Sequence, residues 1–208
     1  DKIAEVAKDF GLGQSYDISM PNQKTGIVPN KKWKKEKIGE SWYAGETLIS
    51  AIGQGFVLTN PFQLAVMTSI IASNGKMVEP TIIKGNPVSF KTNEKYSKEI
   101  KIIKKAMFKV VNENKGTAFK SRLEDIKFAG KTGTSQVRRI SLSERESDDF
   151  REKEQEWKNR DHALFVGYMP YDDPKYSISV IIEHGGSGAS TAAPIAKQVF
   201  NYINELEV

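Results

Sequence analysis

Apolar residues recur at helical spacing in three stretches of this chain, a fourth is bounded by helix start and stop signals, and three others have strand-like density. Residues 1–10 place Ile3, Val6, Ala7 and Phe10 on one face, with Gly11 as the stop. Residues 59–72 form a second helical stretch, with Pro61 near its start and Gly75 beyond its end. Residues 100–111 carry Ile103, Met107, Val110 and Val111 on one side. Near the C-terminus Thr191 is the expected N-cap of a helix with the stripe Ile195, Val199, Ile203 and Leu206. The strand-like runs are 126–132, 163–169 and 176–183. Their connections, with one possible exception, lack the helical period of a βαβ crossover, so antiparallel pairing is expected. The fold class is therefore α+β, an antiparallel sheet flanked by helices. One domain is expected over 1–208, mainly helical in 1–120, with strands and a terminal helix in 121–208.

The exceptional connection is a charged insertion, 138–161. Of its 24 residues 15 are charged, eight acidic and seven basic, which leaves little to bury. A solvated hairpin tip, partly helical or disordered, is the expectation. A lid or partner-docking element is the alternative, because the segment directly follows the strand that carries residues 130–134 and Trp157 is an isolated large apolar group within it.

Composition narrows the setting. At 208 residues the chain is long enough for one sizeable core, and because it begins at Asp1 without a signal segment, its natural beginning is expected upstream. No apolar run approaches the length of a membrane span. The absence of cysteine excludes disulfides and thiolate metal sites. The formal charge is 31 minus 26, or +5, and Lys31, Lys32, Lys34, Lys35 and Lys37 surround Trp33. That cluster is read as a solvated surface whose aliphatic stems pack beside Trp33, not as a nucleic-acid footprint.

The candidate chemistry lies in Gly130-Lys131-Thr132-Gly133-Thr134. Hydroxyls at Thr132 and Thr134 can donate to an anionic oxygen, Lys131 supplies positive charge, and Gly133 lets a ligand approach the backbone. This is a site suited to a carboxylate. A phosphate loop fails on spacing, since Asp125 stands where its first glycine belongs. A hydrolase nucleophile elbow at 185–189 fails because its last position is Ala189 and both His162 and His184 precede Ser187. Ser73-Asn74-Gly75-Lys76 spells Ser-x-x-Lys, but at the C-terminal end of a helix, where the dipole opposes an alkoxide. His184 is expected to satisfy local backbone groups, and Glu46 to make a structural contact. No His, Asp and Glu set has metal-ligand spacing.

Around this motif the chain resembles the penicillin-binding protein 2 family, the class B peptidoglycan D,D-transpeptidases of cell elongation, over the C-terminal part of their transpeptidase domain. Lys131-Thr132-Gly133 matches the third signature of penicillin-binding proteins and serine β-lactamases. Upstream, Phe10-Gly11-Leu12-Gly13, Gly26-Ile27-Val28-Pro29-Asn30, Trp42-Tyr43-Ala44-Gly45-Glu46-Thr47, Ile52-Gly53-Gln54-Gly55 and Thr59-Asn60-Pro61-Phe62-Gln63 follow in the family's order. Downstream, His184-Gly185-Gly186-Ser187-Gly188 leads into Ala192-Ala193-Pro194.

The resemblance implies an incomplete β-lactamase/transpeptidase-like fold whose nucleophilic Ser-x-x-Lys and Ser-x-Asn signatures lie upstream of Asp1. It also implies a serine acyl-enzyme on peptides ending in D-Ala-D-Ala, with β-lactams entering the same site and no cofactor. Lys131, Thr132, Gly133 and Thr134 are then substrate-binding, the Thr134 backbone N–H is one oxyanion donor, and Lys131 orients the second-signature serine. Implied partners are stem peptides, other cell-elongation proteins and, through an upstream anchor, the periplasmic face of the inner membrane. A penicillin sensor, a serine β-lactamase or a non-catalytic binding module are the alternatives.

Overall fold

Three of the first four helices begin where a side chain takes up a free backbone N–H group. The computed structural model describes residues 1–84, 90–92, 94–137 and 156–207. Within it, α1 (Lys2–Asp9) ends at Gly11, whose φ of +87° suits a residue without Cβ. Asn30 Oδ1 accepts from Trp33 N–H at 2.8 Å to start α2 (Lys31–Lys37). In α3 (Ala44–Ala51) Glu46 reaches back to the N–H of Tyr43 at 2.8 Å. Asn60 caps α4 (Pro61–Ala72) through Gln63 N–H at 2.9 Å, with Pro61 at the first helical position.

Beyond α4 the turn Asn74-Gly75 leads into a short antiparallel pair, β1 (Lys76–Val78) and β2 (Phe90–Thr92), which the hydrophobic pattern does not announce. Then come α5 (Ser97–Asn112), β3 (Ala129–Ser135), β4 (His162–Met169), β5 (Tyr176–Ile182) and α6 (Ala193–Glu207). The sheet order is β3-β4-β5, antiparallel throughout as expected.

Alternation along the strands gives the sheet two apolar faces. On one face Ala129 and Tyr168 pack with Phe10 of the α1 turn, Val66 and Ile70 of α4, and Ile100 and Met107 of α5. On the other, Ala163, Phe165 and Val180 meet Phe128, Ala192, Ala193, Ala196 and Phe200. Small residues at 192, 193 and 196 bring α6 close to the strands.

Several expectations need correction. Strand 126–132 is displaced to Ala129–Ser135, because β4 ends at Met169 and Pro170 has no N–H to extend the ladder. Before Ala129 the carbonyls go elsewhere, Lys127 O to Tyr171 N–H at 2.8 Å and Phe128 O to Asn112 Nδ2 at 2.9 Å. Thr191 is not the N-cap: a π-helical turn, Gly188–Ala192, precedes α6, Ser187 caps it, and Thr191 Oγ1 donates to Gly185 O at 2.9 Å. The buried stripe of α6 accordingly runs through Ala196 and Phe200, while Val199 and Leu206 are exposed. The α1 and α5 stripes are only partly covered: Ile3, Val6, Phe10, Met67, Ile71 and Ile103 line an open cavity of about 460 Å³.

The lysine cluster also differs from its reading. Lys34 is 1% exposed, its ammonium held by Glu46 Oε1 at 2.5 Å and Glu40 Oε2 at 3.4 Å and lying 4.3 Å from the Tyr43 ring centroid. Burial pulls this ammonium down, but the two carboxylates outweigh it and the net shift is upward. Lys34 and the backbone N–H of Tyr43 hold the Glu46 carboxyl below its ordinary value. Glu46 thus makes the structural contact expected of it. Most of the charged insertion, 138–155, lies outside the described residues.

Candidate active site

β3 is an edge strand, paired to β4 alone among the described residues, so the motif it carries lies at a border of the sheet. Register places Lys131 opposite Val166, Thr132 opposite Phe165, Gly133 opposite Leu164 and Thr134 opposite Ala163. Because side chains alternate, Lys131 projects on the face covered by α4 and α5, and Thr132 and Thr134 on the face covered by α6. Beyond the cover of those helices Lys131 and Thr134 are exposed and Thr132 is half-buried. The four sequence-predicted residues are therefore contiguous and open to solvent, with cation and hydroxyls on opposite sides of one backbone.

Local packing explains why this segment tolerates glycine inside a strand. Gly130 and its partner Gly167 give room to the Phe165 ring, which a Cβ at either position would strike. Thr132 Oγ1 lies 2.8 Å from Thr117 Oγ1, a hydroxyl contributed by the segment after α5. Lys131 Nζ donates to Thr132 O. Thr117 was not anticipated, since nothing in its spacing from Thr132 marks the contact.

The far end of β3 is closed by histidines and a tryptophan. Val137 N–H reaches Asp161 Oδ1 at 3.3 Å, and Ser135 pairs with His162. The backbone N–H of His184 donates to His162 Nδ1 at 2.9 Å, and His184 Nδ1 lies 3.0 Å from Arg160 O. Trp157, although 62% exposed, covers the His184 ring at a centroid distance of 4.4 Å. Both rings therefore serve local structure, as expected for His184.

Ser73 is placed as expected of a non-catalytic serine. It caps the C-terminus of α4 and its hydroxyl donates to Ser69 O at 2.8 Å, among carbonyls that disfavour an alkoxide. The upstream sequence blocks are scaffold in this structure. Gln63, fully buried, donates from Nε2 to Gln14 O at 2.7 Å and to Thr25 O at 2.9 Å, and Asn60 Nδ2 donates to Lys24 O at 2.7 Å.

Three antiparallel strands with helices on both faces and Lys-Thr-Gly on the edge strand define a protein of the β-lactamase/transpeptidase fold. The family model for the penicillin binding protein transpeptidase domain matches residues 1–201, and the chain belongs to that family. It is 33% identical to peptidoglycan D,D-transpeptidase MrdA of Haemophilus influenzae, covering 97% of this chain and 32% of the relative. Identity to MrdA of Acinetobacter baumannii is 34%, over 97% of this chain and 31% of that protein. Among solved structures, Helicobacter pylori PBP2 in complex with MreC superposes with a TM-score of 0.82 at 33% identity, covering 98% of this chain and 35% of that one. The chain spans about a third of the length of the curated relatives it matches.

Proposed function

We propose that this chain is the substrate-strand portion of a peptidoglycan D,D-transpeptidase, one that cross-links stem peptides ending in D-Ala-D-Ala. The observation that carries the reading is Lys131-Thr132-Gly133-Thr134 on the solvent-open edge of β3, in a chain with PBP2-type relatives. In this reading 1–208 is the C-terminal portion of one transpeptidase domain, and the rest of the protein supplies the serine nucleophile, its lysine base and the second-signature serine. The serine Oγ attacks the penultimate D-Ala carbonyl, its proton passes to the base, and the terminal D-Ala leaves with a proton on its amine. An acceptor amine then displaces the serine.

Each motif residue has a distinct task in that step. Thr132 and Thr134 hydroxyls hold the terminal carboxylate, or that of a β-lactam, and the Thr134 N–H stabilises the oxyanion. Lys131 adds positive potential and orients the second-signature serine. An edge strand suits this use, because an extended peptide can lie along its unpaired backbone groups. In this reading the protein is anchored at the periplasmic face of the inner membrane and works with cell-elongation proteins, and the relative solved with MreC supports the second of these.

The test is covalent labelling. The 208-residue chain alone takes no acyl group from penicillin by intact-mass spectrometry, while the intact protein takes one. In the intact protein Thr134→Val slows acylation by the loss of one charge-assisted hydrogen bond, about 1.5–3 kcal/mol, because valine keeps the shape and the N–H. Lys131→Ala is slower still, since it removes charge and serine positioning together. A stoichiometric adduct on the chain alone, or wild-type acylation by Lys131→Ala, refutes the assignment. Rapid β-lactam turnover by the intact protein would point to a β-lactamase instead.

A further inference from the structure

The turn between β5 and α6 presses on the backbone of the motif strand at one place. Gly188, the first residue of the π-helical turn, is buried, and its Cα faces the sheet where Gly133 pairs with Leu164. A methyl group at this position would run into the carbonyl oxygens of Gly133 and Leu164 and come within 3.0 Å of Gly133 N. These are backbone atoms inside a ladder, which cannot rotate away as a flexible side chain does. The φ of Gly188 is not in the left-handed region, so the demand for glycine here is one of space.

The turn is held down from both sides. Ser187 Oγ accepts from Ala189 N–H at 3.3 Å, Thr191 N–H donates to Ser187 O at 3.0 Å, and Thr191 Oγ1 donates to Gly185 O at 2.9 Å. Gly186 N–H donates to Asp161 O at 2.8 Å, tying the turn to the residue preceding β4. Ala192 and Ala193, fully buried, fix the start of α6 against the same face of the sheet.

Gly133 O and Thr134 N–H belong to one planar peptide unit. Anything that pushes the carbonyl turns the N–H with it. We propose that Gly188 is a positioning residue for acyl transfer, seating the Gly133–Thr134 peptide plane so that the Thr134 N–H points at the developing oxyanion. This rests on the function proposed above and adds to it a structural cause for the orientation of that donor, lying 54 residues further along the chain. A donor aimed by rigid packing needs no reorganisation during reaction, which is where such groups have their effect.

The test uses the intact protein and stopped-flow acylation by a chromogenic β-lactam, separating the limiting acylation rate from the half-saturating concentration. Gly188→Ala lowers the limiting rate by about tenfold to a hundredfold, the range for a misplaced donor, while half-saturation moves less than twofold. Gly55→Ala is the control, because its Cβ would meet only the Ile49 side chain, at 2.9 Å, and the φ of +75° strains any residue but glycine there. That variant loses thermal stability but keeps the limiting rate. If Gly188→Ala cannot be purified, Ser187→Ala decides, since it adds no atoms and only loosens the turn; it slows the limiting rate severalfold. A wild-type limiting rate in Gly188→Ala, or in Ser187→Ala when only that can be made, overturns the proposal. So does a fall that Gly55→Ala reproduces at equal loss of melting temperature. No acylation of the wild-type protein sinks the proposed function and this inference together, whereas wild-type labelling with unaffected variants sinks this inference alone.

Discussion

The segment from Gly11 to Gln63 and the β3-β4-β5 sheet are held together by different forces. The sheet has two apolar faces whose residues, Phe128, Phe165, Tyr168, Phe200 and their neighbours, are almost wholly removed from water. The earlier segment buries few large apolar groups and is stitched instead by side chains that find directional partners, Gln63, Asn60, Lys34 and Glu46. Burial is non-directional and tolerates exchange among apolar shapes, whereas a buried polar group left without its partner is costly. The sheet is thus sensitive to volume and the earlier segment to chemical identity.

The largest effect expected is in the sheet. Phe165→Ala empties the seat formed by Gly130 and Gly167 and removes a fully buried ring between Phe128 and the strands, at about 3–5 kcal/mol by chemical denaturation. A loss below that of a surface substitution would contradict a volume-limited core. Next is Gln63→Leu, nearly isosteric, which strands the carbonyls of Gln14 and Thr25 and costs about 2–4 kcal/mol. If leucine proved neutral there, the polar-stitch account of the first region would fail.

A smaller, pH-dependent effect belongs to Glu46. Its folded carboxyl lies below the ordinary value of 4.5, so its contribution is fully present above pH 4.5 and is lost as pH falls through the depressed value. The Lys34 shift is upward, so the same pair is also weakened as pH rises through that raised value, beyond 10.5. Glu46→Gln lowers the melting temperature at neutral pH, on the order of 5 °C, and flattens its decline between pH 5 and pH 3. Thermal melts across that range give the comparison, and parallel wild-type and variant curves would remove Glu46 from the account. Smallest is Tyr168→Phe. The Tyr168 hydroxyl is buried without a hydrogen-bond partner among the described residues, and burial raises its pKa well above that of an ordinary phenol. Its removal leaves stability within about 0.5 kcal/mol of wild type, or slightly higher; a loss of 2 kcal/mol would reveal a partner.

How far the sequence reveals these features follows the same division. α1, α5 and the three strands announce themselves because burial imprints a period on consecutive residues, and α4 because Pro61 and Gly75 bound an apolar run. α2 and α3 do not: α2 is seven residues, five of them lysine, and Lys34 is buried only because Glu40 and Glu46 meet it from elsewhere in the chain. The edges of β3 are set by its partner, so Pro170, 41 residues beyond Ala129, decides where it begins. At the candidate site the letters Lys131 to Thr134 and their place on an antiparallel strand are legible. The contact with Thr117 and the seat of Gly188 are not, since each depends on closeness that no local pattern encodes.

The open border opposite β3 has a consequence for handling the chain in solution. β5 pairs with β4 alone among the described residues, and its seven residues, Tyr-Ser-Ile-Ser-Val-Ile-Ile, contain no charge and no proline. Such a border is a template for strands of neighbouring molecules, unguarded by the lysines or bulges that usually blunt one. In concentrated preparations of the isolated chain, self-association would begin along Ser177 to Ile182, where no second strand pairs among the described residues.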